Sequence, residues 1–148
     1  MLKMPLIHPG VLEALGRLGH GSQVLISDGN FPHATATPLA ATRIFLNYAP
    51  GMLSVTDVLG PLVEAIPIEA ATVMEPNRSG PYAMEGDPPI FHDFAGLLEP
   101  AGVETLRRLE RFAFYDAARG VDVGLVLATA EQRIYANLLL TIGVVKPA

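Results

Sequence analysis

Apolar residues recur along the chain at two spacings, and the switching between them lays out the elements. Between positions 9 and 18, Val11, Leu12, Leu15 and Leu18 fall at helical spacing, with Pro9 suited to a first turn and Gly19 to a stop. A helix over 9–18 is expected. Gln23-Val24-Leu25-Ile26-Ser27 is too short for another helix and apolar in its middle, which predicts a buried strand ending at Asp28. A second short strand is expected over 43–47. Ser54 and Asp57 stand as a capping residue and its acidic partner, opening a helix that runs to about Ile66 and stops at Pro67. A third strand is expected over 70–74. Residues 75–90, with Pro76, Pro81, Pro88 and Pro89 among Gly, Asn and Ser, read as a long irregular loop rather than a linker between domains. Helical patterns follow over 91–98 and 104–118, the second closed by Gly120. Apolar runs at 121–129 and 136–140 predict two more strands, with Tyr135 near the start of the last. Strands alternating with helices imply a layered α/β domain.

Composition limits what such a domain does. At 148 residues the chain fits one domain, 1–148, long enough to bury a sizeable core. Half of its residues are hydrophobic, its mean hydropathy is +0.35, and 17% are charged, against about 25% in an ordinary soluble domain. The surplus apolar surface predicts contacts between copies, so a homo-oligomer is expected. No apolar run approaches the roughly 20 residues that span a bilayer. Met1-Leu2-Lys3-Met4 leads straight into a helix pattern without the features of a secretory peptide, so no membrane association and a cytoplasmic location are expected. Cysteine is absent, which removes disulfides, thiolate catalysis and thiolate metal sites together. A net charge of −5 and no Lys/Arg cluster argue against nucleic acid. A small neutral or weakly charged ligand remains.

The residues able to carry chemistry are few. His20 lies between two glycines directly after a helix, and Asp28 ends an apolar strand, so an imidazole and a carboxylate stand at opposite ends of one short element. Either reads equally as a surface histidine on a turn or an aspartate opening a loop. Strand ends in α/β sheets are nevertheless where ligands gather. Arg111 and Tyr115 put a guanidinium and a phenol on one helical face, a pair that is also ordinary packing. Tyr135 and Asn137 flank Ala136 with a phenol and an amide on the same side of an expected strand, suited to hydroxyl groups. His8, His33 and His92 are each isolated from a second ligand at metal-like spacing, and neither a Walker loop nor a dinucleotide fingerprint occurs. No metal and no nucleotide cofactor are expected.

Taken in order, Leu18-Gly19-His20-Gly21, Ser27-Asp28-Gly29-Asn30-Phe31-Pro32, Arg111-Phe112-Ala113-Phe114-Tyr115 and Tyr135-Ala136-Asn137 before Leu138-Leu139-Leu140 closely resemble the L-fucose mutarotase and D-ribose pyranase family. The Arg111 block and Asn30-Phe31-Pro32 look like the fucose branch, whereas Tyr135-Ala136-Asn137 is as close to the ribose branch. The resemblance implies a three-layer α/β/α sandwich and a cofactor-free isomerase that interconverts cyclic forms of a monosaccharide. It also implies a ring-shaped oligomer, a decamer, with sites at subunit interfaces. His20 matches the position assigned as proton donor, and Asp28, Arg111, Tyr135, Ala136 and Asn137 match the sugar-binding positions, with Tyr115 at an aromatic position of the fucose branch. Ser22 departs from the pattern, standing where an acidic residue is common, and the 75–90 loop with Tyr82, Glu85 and Asp87 has no match.

These residue types fit that chemistry on their own terms. Changing an anomer requires the ring oxygen to gain a proton while the anomeric hydroxyl loses one, so one acid and one base are enough. A positioned acid or base contributes roughly 10²- to 10⁴-fold, and imidazole, with an ordinary pKa of about 6.5, serves as either. His20 is expected to protonate the ring oxygen, with Asp28 binding a sugar hydroxyl or holding the imidazole, Arg111 forking onto hydroxyls, and Tyr135 and Asn137 orienting the ring. Two alternatives remain open: pyranose-to-furanose interconversion of ribose, and a ring protein that binds sugar without turnover.

Overall fold

The computed structural model describes residues 1–147. Six strands form one sheet in the order β2-β5-β1-β6-β3-β4, where β1 is Gln23–Ser27, β2 Thr42–Phe45, β3 Ile68–Met74, β4 Arg107–Leu109, β5 Val123–Ala128 and β6 Leu138–Ile142. β1, β5 and β2 are parallel, as are β3 and β4, while β6 is antiparallel to both of its neighbours, β1 and β3. The helices are α1 (Pro9–Leu15), α2 (Val55–Val63), α3 (Ile90–Leu98) and α4 (Arg111–Ala118).

The layers follow from the two-residue period of the strands. Val24 and Ile26, Leu125 and Leu127, Leu138 and Leu140, and Ala71 and Val73 share one face with α1, α2 and α3. Leu25, Val126, Leu139 and Met74 share the other with Phe114 and Ala118 of α4. Helices therefore cover both faces, as a three-layer α/β/α sandwich requires, and the near-continuous apolar strands are those of a sheet buried on both sides. Each fully buried Leu, Val or Ile contributes about 1.5–3 kcal/mol, and a one-residue slip would exchange the two faces.

Local signals held where they were chemical. Ser54 and Asp57 form the expected capping box: Ser54 Oγ accepts the Asp57 N–H at 3.1 Å, and the Asp57 carboxylate accepts the Ser54 N–H at 2.9 Å. His8 caps α1, its Nδ1 accepting the Val11 N–H at 3.2 Å. The helix expected over 104–118 is corrected. Its first part is β4, pairing Thr72, Val73 and Met74 with Arg107, Arg108 and Leu109, and only Arg111–Ala118 is helical. Glu110 separates the two, its carboxylate accepting the Phe112 and Ala113 N–H groups. α1 and α2 also end earlier than expected, at Leu15 and Val63.

One consequence of the topology positions the site. β1 to β5 share a direction, so Asp28, Glu75, Glu110 and Thr129, which directly follow β1, β3, β4 and β5, gather at one edge of the sheet. Asn137, which precedes the reversed β6, joins them there. Carboxyl edges of parallel strands are where α/β folds hold ligands.

Candidate active site

The antiparallel register of Ile26 with Leu138 brings the residues just beyond them, Asp28 and Asn137, face to face. The Asp28 N–H donates to Asn137 Oδ1 at 2.9 Å, and Asn137 Nδ2 donates to Asp28 Oδ2 at 2.8 Å. This closed ring fixes the amide orientation and presents the carboxylate. The Asn30 N–H donates to the other oxygen, Oδ1, at 2.9 Å. Asp28 is 4% exposed. Burial pushes its carboxyl above the ordinary aspartate value, against the opposing pull of the Asn30 amide, the Asn137 side chain and the Phe31 and Ala136 amides. A carboxyl so placed takes up a proton more readily than an exposed one.

Around it lies a cleft of about 330 Å³ whose polar side is Asp28, Asn30, Arg111 and Asn137 and whose apolar side is Phe31, Met74, Tyr82, Tyr115, Ile134 and Tyr135. The volume is at the small end of the roughly 300–1,000 Å³ range of ligand pockets. Arg111 enters because β4 ends at Leu109 and α4 begins two residues later. Its guanidinium carbon lies 5.8 Å from the Tyr115 ring centre, and the Tyr115 ring in turn meets Phe31 at 5.6 Å. The helical pairing of Arg111 with Tyr115 is thus present and faces the cleft.

Tyr135 and Asn137 reach the cleft by a different route from the one expected. They precede β6 rather than alternating along it, and Tyr135 has φ of 60°, a left-handed conformation uncommon outside glycine. That turn lets the Tyr135 hydroxyl accept the Asn77 N–H at 3.1 Å and donate to the Tyr82 carbonyl at 2.8 Å. The phenol ring is cleft wall, and its hydroxyl fastens the 75–89 loop over the site. The same loop is braced by Arg78, which donates to the Met84 and Gly86 carbonyls and to Glu75, and by Arg108, which forks onto Asp87. Ala136 is fully buried in the core and meets the site through its backbone alone.

The segment from Thr129 to Ile134 that carries Tyr135 and Asn137 is anchored by Glu131. Its carboxylate accepts the Val55, Gln132 and Arg133 backbone N–H groups and is forked by Arg133 Nε and Nη2 at 2.9 and 2.7 Å. Burial alone would raise this carboxyl, but the Arg133 bonds outweigh it and hold the pKa at about 2. A wider groove of about 450 Å³ adjoins the cleft through Asn30, with Asn47, Tyr48 and Gln132 among its walls. Its one carboxylate, Glu131, is committed to Arg133.

His20 is not in the cleft. It lies at the other edge of the sheet, where Nε2 pairs with Glu69 Oε2 at 3.0 Å. The four steps from Gln23 to Ser27 alone cover ~13 Å, so no monosaccharide touches His20 and Asp28 of the same protomer. Met74, Tyr82 and Ile134 are lining residues that sequence reasoning missed. Met74 and Ile134 carry no sequence signal, whereas Tyr82 stood as an aromatic in a loop of unexplained composition. Among the described residues no group of three or more His, Cys, Asp or Glu is placed to hold a metal ion, and no helix is long and apolar enough to cross a membrane.

A six-stranded, mostly parallel sheet with a small cleft at its carboxyl edge, polar on one side and aromatic on the other, defines an α/β domain with a small-molecule site. Residues 1–145 match the model of the RbsD / FucU transport protein family, and the chain belongs to that family. It is 32% identical over 145 residues to a fucose mutarotase of Homo sapiens, covering 94% of this chain and 90% of that protein. Its fold is that of the fucose mutarotase in complex with L-fucose from Streptococcus pneumoniae, with a TM-score of 0.79, 24% identity and coverage of 99% and 100% of the two chains. It is also that of Bacillus subtilis RbsD complexed with D-ribose, with a TM-score of 0.74, 23% identity and coverage of 99% and 100%.

Proposed function

We propose that the protein is a cofactor-independent isomerase, a sugar mutarotase that interconverts the α and β anomers of L-fucose or a related aldose. The observation that carries this reading is the Asp28–Asn137 ring set in a monosaccharide-sized cleft beside Arg111. The name borne by the human relative supports it. So does the apolar wall of Phe31, Met74 and Ile134, which suits the methyl group of a 6-deoxy sugar better than a hydroxymethyl.

In this mechanism Asp28 takes the proton of the anomeric hydroxyl as the C1–O5 bond breaks, the O1 electrons form the aldehyde carbonyl, and His20 delivers a proton to O5. Rotation about C1–C2 and the reverse transfers close the ring as either anomer. Arg111 donates to neighbouring hydroxyls, Tyr115 and Tyr135 stack against the ring, and Asn137 and the Ala136 amide hold Asp28. Because His20 stands at the far end of β1 from Asp28, it is supplied by a neighbouring copy. The working form in this reading is therefore a homo-oligomer; the family resemblance supports a ring-shaped decamer, and the reading places it in the cytoplasm.

Saturation-transfer NMR on L-fucose tests this directly. The protein is expected to accelerate α/β exchange, and His20→Gln and Asp28→Asn to lower the rate by at least about 10²-fold. Exchange accelerated only between ribose pyranose and furanose would move the assignment to the ribose branch. Binding without exchange, or wild-type exchange in His20→Gln, would overturn the mechanism.

A further inference from the structure

The imidazole of His20 has a carboxylate partner that arrives from a distant part of the chain by a specific backbone device. The turn from Gly19 to Ser22 is closed by the Ser22 N–H donating to the Gly19 carbonyl. It is pinned to the end of β6 by Gly21 N–H to Ile142 O and Ile142 N–H to Ser22 O, each 2.9 Å. Gly21, with φ of 82°, supplies the left-handed corner. The backbone beneath His20 is thus fixed although its side chain is exposed.

No carboxylate stands on that turn, where Ser22 contributes only a hydroxyl that accepts the Gly19 N–H. Glu69 supplies one instead. Ile68 pairs with Ile142 and Ala70 with Thr141, so two steps on β3 oppose one on β6, and Glu69 is the extra residue of a β-bulge. Bulges re-aim side chains and recur beside active sites. Here Ile68 and Ala70 are both buried, and the residue between them is turned outward to place Oε2 3.0 Å from His20 Nε2. Gly143 completes the arrangement: a Cβ there would stand 3.3 Å from Glu69 Cβ and 3.4 Å from its amide nitrogen.

We infer that Glu69 is the positioning residue for His20, holding Nε2 and leaving Nδ1 as the nitrogen that exchanges a proton with the sugar. The inference deepens the proposed mechanism and rests on it. A carboxylate only accepts, so the neutral imidazole opposite it carries its hydrogen on Nε2, and the bare nitrogen is Nδ1. The charged ring keeps the same orientation, with Nε2–H on Glu69 and Nδ1–H presented outward. Glu69 touches no sugar in this arrangement and acts only through His20.

The test combines a spectroscopic and a kinetic readout on the assembled, 15N-histidine-labelled protein, with the His20 signals assigned by their loss in His20→Gln. Long-range 1H–15N correlation spectra in the neutral range are expected to show the Nε2–H tautomer of His20 in the wild type and a mixture in Glu69→Ala. The fucose exchange assay is expected to give a kcat about tenfold lower for Glu69→Ala with KM within about twofold, a fraction of the ~10²–10⁴ that a positioned acid supplies. Glu69→Gln, which keeps an acceptor at the same reach, is expected to recover kcat to within about threefold. An Nδ1–H tautomer in the wild type, an unchanged kcat in Glu69→Ala, or a change in KM alone overturns the role of Glu69 while leaving the mutarotase reading intact if His20→Gln is inactive. Wild-type exchange in His20→Gln overturns both.

Discussion

Replacing Asn137 with aspartate tests the central pair of the site most sharply, because it changes one atom type at a position where two groups already lie 2.8 Å apart. The amide that donates to Asp28 becomes a second carboxylate. Two unit charges about 4 Å apart at an effective dielectric of about 20 repel by roughly 4 kcal/mol. That repulsion holds one proton on the pair well above the ordinary carboxylate range. The sign follows from linkage: a carboxyl whose folded value lies above its unfolded value stabilises the fold below the unfolded pKa, and the benefit is lost as pH rises through the folded value. Burial already places Asp28 on this side in the wild type, and Asn137→Asp enlarges the effect. Urea melts at one fixed protomer concentration, since assembly contributes to apparent stability, should therefore find the variant close to wild type at pH 5 and about 4 kcal/mol less stable at pH 8. A gap between variant and wild type that is the same at both pH values would refute the coupling of the two side chains.

Two further outcomes follow from the same geometry. Tyr135→Phe removes an acceptor for the Asn77 N–H and a donor to the Tyr82 carbonyl. Amide exchange at Asn77 should accelerate by about five- to tenfold for a bond worth ~1 kcal/mol, and KM for the sugar should rise more than kcat falls. Unchanged protection at Asn77 would show that the loop is held by Arg78 and Arg108 alone. Glu131, held at about 2 by Arg133, lies below its unfolded value. It therefore contributes stability above about pH 4.5 that fades as the pH falls toward 2, about 1–2 kcal/mol once solvent screening at the exposed Arg133 is allowed for. In Glu131→Gln this acid-dependent part should vanish, so acid titrations of the variant and the wild type that run parallel from pH 6 to pH 2.5 would remove it.

What was legible in the sequence was what local chemistry encodes. The apolar middle of β1 and its polar ends, the Ser54–Asp57 box and the stop at Gly120 each carry their own physics. So does the pairing of Arg111 with Tyr115, which needs only one helical turn. β4 was hidden because Leu106 and Leu109 stand three apart, as on a helix. Only the presence of β3 alongside makes Arg107–Leu109 a strand. Tyr135 took a left-handed turn that no local signal marks, so its hydroxyl serves the 75–89 loop rather than standing along a strand beside Asn137. That loop read as shapeless for the same reason, since its fastening point lies 46 or more residues away in the chain. The pairing of Glu69 with His20 depends on a bulge, which is a property of two strands and of neither alone.

The reversal of β6 carries a consequence for how the molecule tolerates change. Of the described strands it alone begins at the Asp28 edge and ends under the His20 turn. One five-residue element thus touches Asn137 at its start and fixes Gly21 and Ser22 through Ile142 at its finish. Leu138, Leu139 and Leu140 between them alternate between the two cores and hold the register. An insertion or deletion of one residue in that stretch would exchange those faces and shift both ends together, so the carboxylate and the imidazole are inherited as a unit. Substitution can tune either end alone, whereas changes in the length of β6 act on both at once.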